Sequence, residues 1–288
     1  RSREALGLPP AQKQAVVGSA TLEVTATAPG PHTDAAEAAR FGALSLAQAL
    51  GQADVVFPLL HGPYGEDGRV QGLLDMLGLP YVGAGVFGSA VAMDKLGMKA
   101  VFAAHGLPQV RYVGVTRHRW NTDPSGVRRE LEELAYPLFV KPANLGSSIG
   151  ISRVDDVAAL NSAMALALSH DRRVVVEEGL TGARELEIAV LGNDDPRLSV
   201  VGEIRHGAGF YDYDTKYTDG QAELIVPAHV PAKVATELTE LARRAFLAVD
   251  AAGMARVDFF YQDSTGELYL NEINTIPGFT RHSMYPKL

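Results

Sequence analysis

The sequence contains no cysteine, which excludes disulfides, thiolate chemistry and cysteine zinc sites. It also lacks an apolar run long enough to span a bilayer and a signal-peptide pattern, so a cytoplasmic protein with no membrane partner is expected. Basic runs are absent too. The formal charge of −8 therefore argues against a nucleic-acid partner.

The length and composition are those of a globular chain with more than one core. At 288 residues the chain is long for a single core, so two or three domains are expected. The hydrophobic content of 47% and the charged content of 21% are ordinary for a soluble globular protein.

The most informative stretch lies near the C-terminal end. Two strand-like runs, residues 256–261 and 268–274, flank the turn sequence Asp-Ser-Thr-Gly-Glu and predict a β-hairpin. Apolar residues alternate with the polar ones in these runs, which indicates a buried sheet in which unpaired acids would be costly. The alternative is an exposed hairpin with ordinary surface charges.

The spacing of acids on this hairpin predicts a metal site. Residues two apart on a strand share a face, so Glu272 and Asn274 point the same way. If Gln262 lies opposite Leu268, Asp258 lies directly across from Glu272. Two carboxylates and an amide oxygen would then converge, and such all-oxygen ligands suit Mg²⁺ or Mn²⁺.

A glycine- and serine-rich loop predicts phosphate binding. A buried strand at residues 137–142 carries Lys141 near its end and is followed by the loop 143–150 and a strand at 151–154. Backbone N–H groups and hydroxyls of such a loop can contact phosphate oxygens, although the sequence is not a Walker loop. A flexible hairpin tip is the alternative.

Two further loops are candidate ligand-binding sites. Residues 54–60 predict a buried strand of a parallel sheet, and His61 opens the glycine- and acid-rich loop 61–68 at its end, where ligand loops of α/β sheets occur. The strand 173–178 ends in two acids, and the connector after it is a possible adenine-binding hinge.

The remaining patterns predict alternating helices and strands. Segment 210–217 is polar and aromatic, which favours a mobile lid or aromatic packing on a sheet. Asp155 or Asp156 is expected to cap a helix with Val157, Leu160, Met164 and Leu168 on one face. Helices are also predicted at 35–50, 70–77, 89–104, 127–135 and 232–249, strands at 81–83, 185–191 and 198–204, and a loop at 120–126.

Taken together, several stretches resemble the D-alanine–D-alanine ligases of the ATP-grasp superfamily, in the family's order. They are HGPYGEDG (61–68), LPYVGAG with SAVAMDK (79–95), FVKPANLGSSIGISRV (139–154), YDYDTKY (211–217), ARVDFF (255–260) and NEINTIPGFTRHSMYP (271–286).

The resemblance implies a fold of mixed α/β (α+β) type, the ATP-grasp fold preceded by an N-terminal Rossmann-like domain. The implied domains are residues 1–92, the substrate domain, then 93–176 with the phosphate-binding flap, and 177–288 with the metal site and mobile loop. It also implies a homodimer.

The implied activity is ligation of two D-alanines to D-alanyl-D-alanine at the expense of ATP, for peptidoglycan synthesis. ATP first converts the carboxylate of one D-alanine to an acyl phosphate, which the amine of the second then attacks. Catalysis of such phosphoryl transfer is largely positioning and charge neutralisation. The implied cofactors are ATP and two Mg²⁺, or Mn²⁺.

The family match also assigns roles to residues that contact the nucleotide. Asp258, Glu272 and Asn274 would hold the ions. The implied nucleotide-binding residues are Lys95, Lys141, Ser148, Glu177, Leu180, Glu185 and Lys216. Among these, the lysines would neutralise phosphate charge, Glu177 and Leu180 would face adenine, and Glu185 would face the ribose.

The roles implied at the reacting centre are of three kinds. Arg256 and the backbone N–H of Gly278 would stabilise the tetrahedral intermediate. Ser283, with the Met284 backbone, would bind the carboxylate of the second D-alanine. The other implied residues are His61 beside the substrates and the flap-closing pair Ser147 and Tyr217.

The sequence also departs from the family pattern. The glycine-rich motif G-G-x-S-x-E-H does not appear, so the first strand is apparently missing, and neither does the family's closing helix. A truncated chain would have an incomplete site for the first D-alanine. Three alternatives remain open: another ATP-grasp carboxylate–amine ligase, a D-alanyl-D-lactate-type ligase, against which Tyr217 argues, and a nucleotide-binding protein without catalysis.

Overall fold

A computed structural model describes residue 50 and residues 53–146, 148–206 and 222–288. The chain forms two compact units, one of residues 1–57 and 73–81 and the other of residues 58–72 and 82–288. The helices are α1 (Arg69–Met76), α2 (Val86–Met93), α3 (Lys95–Ala104), α4 (Arg117–Thr122), α5 (Pro124–Leu131), α6 (Leu160–His170) and α7 (Ala232–Ala248), with a 3₁₀ turn at Tyr285–Lys287. Among them, none has the length and apolar character needed to cross a membrane.

The larger unit contains two antiparallel sheets. The first has the strand order β1-β4-β2-β3 and the second the order β10-β9-β5-β7-β8, with β6 paired to β5. The strands are β1 (Tyr112–Thr116), β2 (Leu138–Pro142), β3 (Ser152–Val154), β4 (Arg173–Glu178), β5 (Arg184–Gly192), β6 (Arg197–Leu198), β7 (Gly202–His206), β8 (Ala222–Ile225), β9 (Gly253–Gln262) and β10 (Glu267–Asn274).

Each sheet buries one face against helices. In the four-stranded sheet, Val140 and Val176 pack with Leu131 of α5 and Met164 of α6. Alternation along the strands then turns the neighbouring residues, among them Lys141, to the opposite face. The core therefore fixes which side chains of this sheet remain available to a ligand.

The six-stranded sheet follows the same rule. Ile188 of β5 and Val257 and Phe259 of β9 form a core with Leu238 and Phe246 of α7. The predicted helix 232–249 is confirmed as α7, which ends one residue earlier. The residues between these apolar positions on β5 and β9 face away from α7.

The hairpin is confirmed, but its turn is aligned differently from the sequence prediction. Gln262 lies opposite Glu267, not Leu268. The register then shifts by one residue within β10, and beyond this shift Asp258 lies opposite Glu272, as predicted. The predicted pairing of the two acids is therefore right, although the alignment assumed at the turn is wrong.

A β-bulge at Asn271 causes the shift. Leu268, Leu270 and Ile273 are all buried, although the last two are three residues apart and would face opposite ways on a regular strand. The extra residue of a bulge changes the alternation, so Ile273 returns to the core and Glu272 turns outward. The spacing of these apolar residues was the sequence signal for the bulge.

The predicted buried strand at 54–60 is wrong. Val56 makes a single parallel bridge to Tyr81, so the predicted strand 81–83 is likewise reduced to one residue. Phe57 and Leu59 are exposed. Pro58 has no N–H to donate, which prevents the ladder from continuing.

The predicted helix 89–104 is divided in two at Asp94. This residue has extended backbone angles and caps α3, because its side chain accepts a hydrogen bond from the Gly97 N–H. Aspartate is a favoured helix N-cap, and the break makes Lys95 the first residue of α3. Lys95 N–H then donates to the carbonyl of Ala143, which joins α3 to the loop after β2.

Smaller differences concern other predicted elements. The predicted loop 120–126 is largely helical, because Thr116 caps α4 and Asp123 caps α5. The predicted strand 198–204 divides into β6 and β7. Val157 lies before α6 and is exposed, so the predicted helical face begins at Leu160. The predicted helix 35–50, apart from residue 50, and the segment 210–217 lie outside the described residues.

Candidate active site

One large cleft of about 1270 Å³ lies within the larger unit and is lined by residues of both sheets. Every candidate residue from the sequence that falls within the described part of the chain lines it. These residues are His61, Lys95, Lys141, Ser148, Glu177, Leu180, Glu185, Arg256, Asp258, Glu272, Asn274, Gly278, Ser283 and Met284. Ser147, Lys216 and Tyr217 lie outside the described residues.

Three carboxylates form a row across the floor of the cleft. Glu187 of β5 pairs with Asp258 of β9, which pairs with Glu272 of β10. Directly opposite residues share a face and have Cβ atoms about 5 Å apart. Negative charges this close repel one another, which disfavours ionisation of all three acids unless cations lie beside them.

The predicted metal ligands come together at one end of this row. The Asn274 amide nitrogen lies 3.0 Å from Asp258 Oδ2 and 3.4 Å from Glu272 Oε1. Among the described residues, no three His, Cys, Asp or Glu side chains are arranged to hold a metal, so the set is complete only with Asn274. A half-turn of its amide would present an oxygen, and two carboxylates with an amide oxygen suit Mg²⁺ or Mn²⁺.

Arg256 neutralises the centre of the row. Its Nε and one terminal nitrogen donate to the two oxygens of Asp258 at 2.7 and 2.6 Å. The same Nε lies 3.1 Å from Glu187 Oε1. Burial lowers the pKa of Arg256, but Asp258 and Glu187 outweigh that effect and raise it well above its usual value. Its positive charge is therefore permanent.

Glu187 was missed by the sequence analysis. It is 5% exposed, and its Oε2 accepts no hydrogen bond from the residues that the structure describes. Burial raises the pKa of Glu187, while Arg256 opposes this rise. The available signal was a second glutamate two positions after Glu185 in an otherwise apolar strand, which places both on the cleft face.

A second charge cluster lies on the four-stranded sheet. The Glu177 carboxylate lies 2.5 Å from Lys141 Nζ and 2.8 Å from Lys99 Nζ. Burial would raise the pKa of Glu177, but the two ammonium groups lower it to about 2. The cluster therefore carries one net positive charge, which suits an anionic ligand.

Lys99 is the second residue that the sequence analysis missed. It is 1% exposed, and its ammonium lies 4.9 Å from the centre of the Tyr112 ring. Its contact with Glu177 is an ion pair without hydrogen-bond alignment. The signal was its position one turn after Lys95 on a largely apolar helix, where a charged side chain needs a partner.

Two backbone features position the nucleotide candidates. Gly179 follows β4 and approaches β2 so closely that a Cβ there would lie 2.7 Å from the Phe139 ring and 2.9 Å from the Pro137 carbonyl. Glycine therefore permits the sharp connector between Glu177 and Leu180. In the loop 143–150, the phosphate-binding flap of the resemblance, Ser148 adopts a left-handed φ of 59°. Lys95 Nζ donates to the Leu145 carbonyl of this loop at 2.5 Å.

His61 lies at the rim of the cleft. Its Nδ1 is 3.1 Å from the Ile276 carbonyl and 3.8 Å from Glu66 Oε2. Glu66 is the main cause of a raised pKa for His61. The side chain is half exposed, so it is accessible to a substrate.

The segment after β10 brings the remaining candidates to the cleft. A Cβ at Gly278 would lie 2.7 Å from Ser283 Oγ, so a side chain there would displace the serine. Ser283 Oγ accepts a hydrogen bond from the Thr280 N–H at 3.1 Å. Met284 is buried and anchors the end of this segment.

These features define a class. Two antiparallel sheets enclose a cleft with a lysine-bearing strand and flap on one sheet and a carboxylate hairpin on the other, which is the arrangement of an ATP-grasp enzyme.

Comparisons with known proteins give the family within that class. Residues 8–84 match the family model described as D-ala D-ala ligase N-terminus, and residues 101–288 match D-ala D-ala ligase C-terminus. The chain is 56% identical over 236 residues to a D-alanine–D-alanine ligase of Deinococcus radiodurans, covering 82% of this chain and 70% of that protein. The chain belongs to the D-alanine–D-alanine ligase family.

Solved structures agree with this assignment. The VanG D-Ala:D-Ser ligase of Enterococcus faecalis superposes with a TM-score of 0.73 at 40% identity, over 81% of this chain and 67% of that one. The D-alanine–D-alanine ligase of Coxiella burnetii superposes with a TM-score of 0.71 at 39% identity, over 82% of this chain and 62% of that one.

Proposed function

We propose that the chain ligates two D-alanine molecules to D-alanyl-D-alanine, with conversion of ATP to ADP and phosphate, for peptidoglycan synthesis. The observation that carries this proposal is the convergence of Asp258, Glu272 and Asn274 in the same cleft as the cationic Lys141 cluster. The 56% identical ligase of Deinococcus radiodurans supports the same activity.

The chemical problem is that a carboxylate is a poor electrophile. Transfer of the γ-phosphoryl group to the carboxylate oxygen releases ADP and forms an acyl phosphate. The amine of the second D-alanine then attacks the acyl carbon, loses a proton and expels phosphate. The protein must therefore neutralise phosphate charge first and the tetrahedral oxyanion later.

The residues proposed for the first task come from the two sheets, from α3 and from the loop after β2. Asp258, Glu272 and Asn274 would hold two Mg²⁺ or Mn²⁺ ions, which neutralise charge on the triphosphate when bound. Lys95 and Lys141 add fixed positive charge from the other side of the cleft. By family resemblance, Lys216 would join them, and Ser148 would contribute from the flap.

The base and sugar would bind beside these groups. Glu177 is ionised at neutral pH and can accept a hydrogen bond from the exocyclic amine of adenine. Leu180 supplies an apolar contact, and Glu185 would bind the ribose hydroxyls. These roles are inferred from the family and from the position of the three residues on the cleft.

We assign the second task to Arg256, beside Asp258, and to residues of the segment after β10. The guanidinium of Arg256 and the N–H of Gly278 would stabilise the oxyanion, while Ser283 and the Met284 backbone would bind the carboxylate of the second D-alanine. His61 would lie beside the substrates. Ser147 and Tyr217 would close the flap by a hydrogen bond.

Product choice has a specific alternative. One structural relative is a D-Ala:D-Ser ligase at 40% identity, so D-serine is a second candidate for the attacking substrate. Tyr217 in the sequence favours an amine nucleophile over D-lactate.

We also propose the three-domain division at residues 92 and 176, a homodimer, and a cytoplasmic location in keeping with the use of ATP.

A phosphate-release assay tests the proposal. The full chain is incubated with ATP, Mg²⁺ and D-alanine, D-alanine plus D-serine, D-alanine plus D-lactate, or L-alanine, and the products are identified by mass spectrometry. We expect release with D-alanine and a dipeptide product. Release only with D-serine would favour the alternative, and no release with any of the four would contradict ligation.

A further inference from the structure

Hydrogen-bond donors engage both oxygens of Asp258. Arg256 donates to both of its oxygens, and the Asn274 amide also donates to Oδ2. A carboxylate oxygen accepts about two hydrogen bonds, so Oδ2 is fully occupied. A half-turn of the Asn274 amide, which turns its oxygen toward a cation, removes one of these donors. Arg256 still donates to both oxygens, so a divalent cation must compete with Arg256 for Asp258.

Glu187 offers Arg256 a second acceptor. Its Oε1 already lies 3.1 Å from Arg256 Nε, and its Oε2 accepts no hydrogen bond from the described residues. An oxygen buried without a donor costs about 1–3 kcal/mol, which needs a compensating role. The unpaired atom belongs to the carboxylate that Arg256 already touches.

The strand register allows a short movement between the two acceptors. Glu187 lies directly opposite Asp258, and Arg256 lies opposite the small residue Ala189 on the same strand as Glu187. The two carboxylates are therefore neighbours on one face, about 5 Å apart at Cβ. Because Arg256 Nε already contacts both acids, a rotation of the Arg256 side chain would bring its guanidinium from Asp258 to Glu187.

We propose that Glu187 is a positioning residue that binds the guanidinium of Arg256 when Asp258 binds a divalent cation. Glu187 thereby holds Arg256 in the cleft after it leaves Asp258 and reduces the competition between Arg256 and the cation. This inference rests on the metal site of the proposed function.

The test measures metal affinity and not turnover. Mn²⁺ binding in the presence of ADP is titrated by electron paramagnetic resonance for the wild type, Glu187→Gln, Arg256→Gln and the double variant. We expect Glu187→Gln to raise the Mn²⁺ dissociation constant about tenfold, because Arg256 then remains on Asp258. In the Arg256→Gln background the same substitution should change the Mn²⁺ dissociation constant less than about twofold, because the guanidinium that competes with Mn²⁺ for Asp258 is absent.

A matched control separates this role from a structural ion pair. Glu203 is also buried on the six-stranded sheet and binds Arg184 at 2.7 and 3.0 Å. Glu203→Gln should leave the Mn²⁺ constant unchanged. If Glu187→Gln does not fold, Glu187→Asp serves in its place, since aspartate keeps the charge but has a shorter side chain. We then expect a smaller increase in the Mn²⁺ dissociation constant, which should vanish in the Arg256→Gln background.

Two results would overturn the inference alone. Either Glu187→Gln leaves Mn²⁺ binding unchanged, or it weakens binding equally with and without Arg256, which would mean that Glu187 acts only through its negative charge. If the wild type with ADP binds no Mn²⁺ at all, both the inference and the proposed metal site fail.

Discussion

Replacing Glu272 with glutamine is expected to abolish ADP release in the presence of ATP and D-alanine, with a loss of about a thousandfold or more. Glutamine keeps the shape of the side chain but removes one of the two carboxylates of the proposed metal site. A metal ion contributes several kcal/mol of charge stabilisation to phosphoryl transfer, which corresponds to this factor. ADP release is measured by a coupled assay at saturating Mg²⁺.

The control for this prediction lies on the same strand. Glu267 is exposed at the turn end of β10 and does not line the cleft. Glu267→Gln should retain activity within about twofold of the wild type, as is usual for a surface change. Near-UV circular dichroism should be the same for both variants. Wild-type turnover in Glu272→Gln would refute the metal assignment.

The second large effect concerns stability. Glu177→Gln is expected to lower the free energy of unfolding by about 3–5 kcal/mol at pH 7, because it leaves the ammonium groups of Lys99 and Lys141 buried without a counter-charge. Urea unfolding followed by fluorescence or circular dichroism measures this loss.

The pH dependence gives an independent check with a defined sign. The pKa of Glu177 is lowered to about 2 in the folded protein, from 4.5. Its contribution to stability is therefore complete above about pH 5 and is lost as the pH falls towards 2. The difference between the wild type and Glu177→Gln should shrink over that range, since a protonated glutamate resembles glutamine.

The adjacent residue provides the control for both measurements. Glu178 pairs at 3.2 Å with the side chain of Arg111, which is 59% exposed. The Glu178 side chain is 18% exposed and also accepts a hydrogen bond from the Ala135 N–H, which the glutamine oxygen can still accept. Because Arg111 remains solvated when the negative charge is lost, Glu178→Gln should cost only about 0–1 kcal/mol. Equal small losses of unfolding free energy in Glu177→Gln and Glu178→Gln would contradict the stabilising role of the Glu177–Lys141–Lys99 cluster. A stability difference between the wild type and Glu177→Gln that stays constant down to pH 3 would contradict it as well.

Local patterns in the sequence predicted most of the elements around the cleft. The hairpin, the flap and α7 follow from alternation, turn residues and helical spacing, all of which act within a few residues. The opposition of Asp258 and Glu272 was predicted from an incorrect turn alignment. The two acids are nevertheless opposite each other, because the bulge at Asn271 offsets the one-residue error in the turn alignment.

What the sequence did not reveal depends on contacts between distant segments. Glu187 joins the carboxylate row only because β5 lies beside β9, a pairing that no local pattern specifies. Lys99 can be buried because its ammonium reaches Glu177 of β4, which neutralises it. The break at Asp94 had a local signal, since aspartate favours helix N-caps, but the apolar spacing on both sides masked it.

A crystal structure of the chain with ADP, phosphate and Mn²⁺, with anomalous scattering used to locate the ions, would show directly whether Asp258, Glu272 and Asn274 bind metal. We expect anomalous peaks about 2.0–2.3 Å from oxygens of Asp258, Glu272 and Asn274, beside the diphosphate of the nucleotide. Nucleotide bound in the cleft with no ion among these three side chains would contradict the proposed metal site.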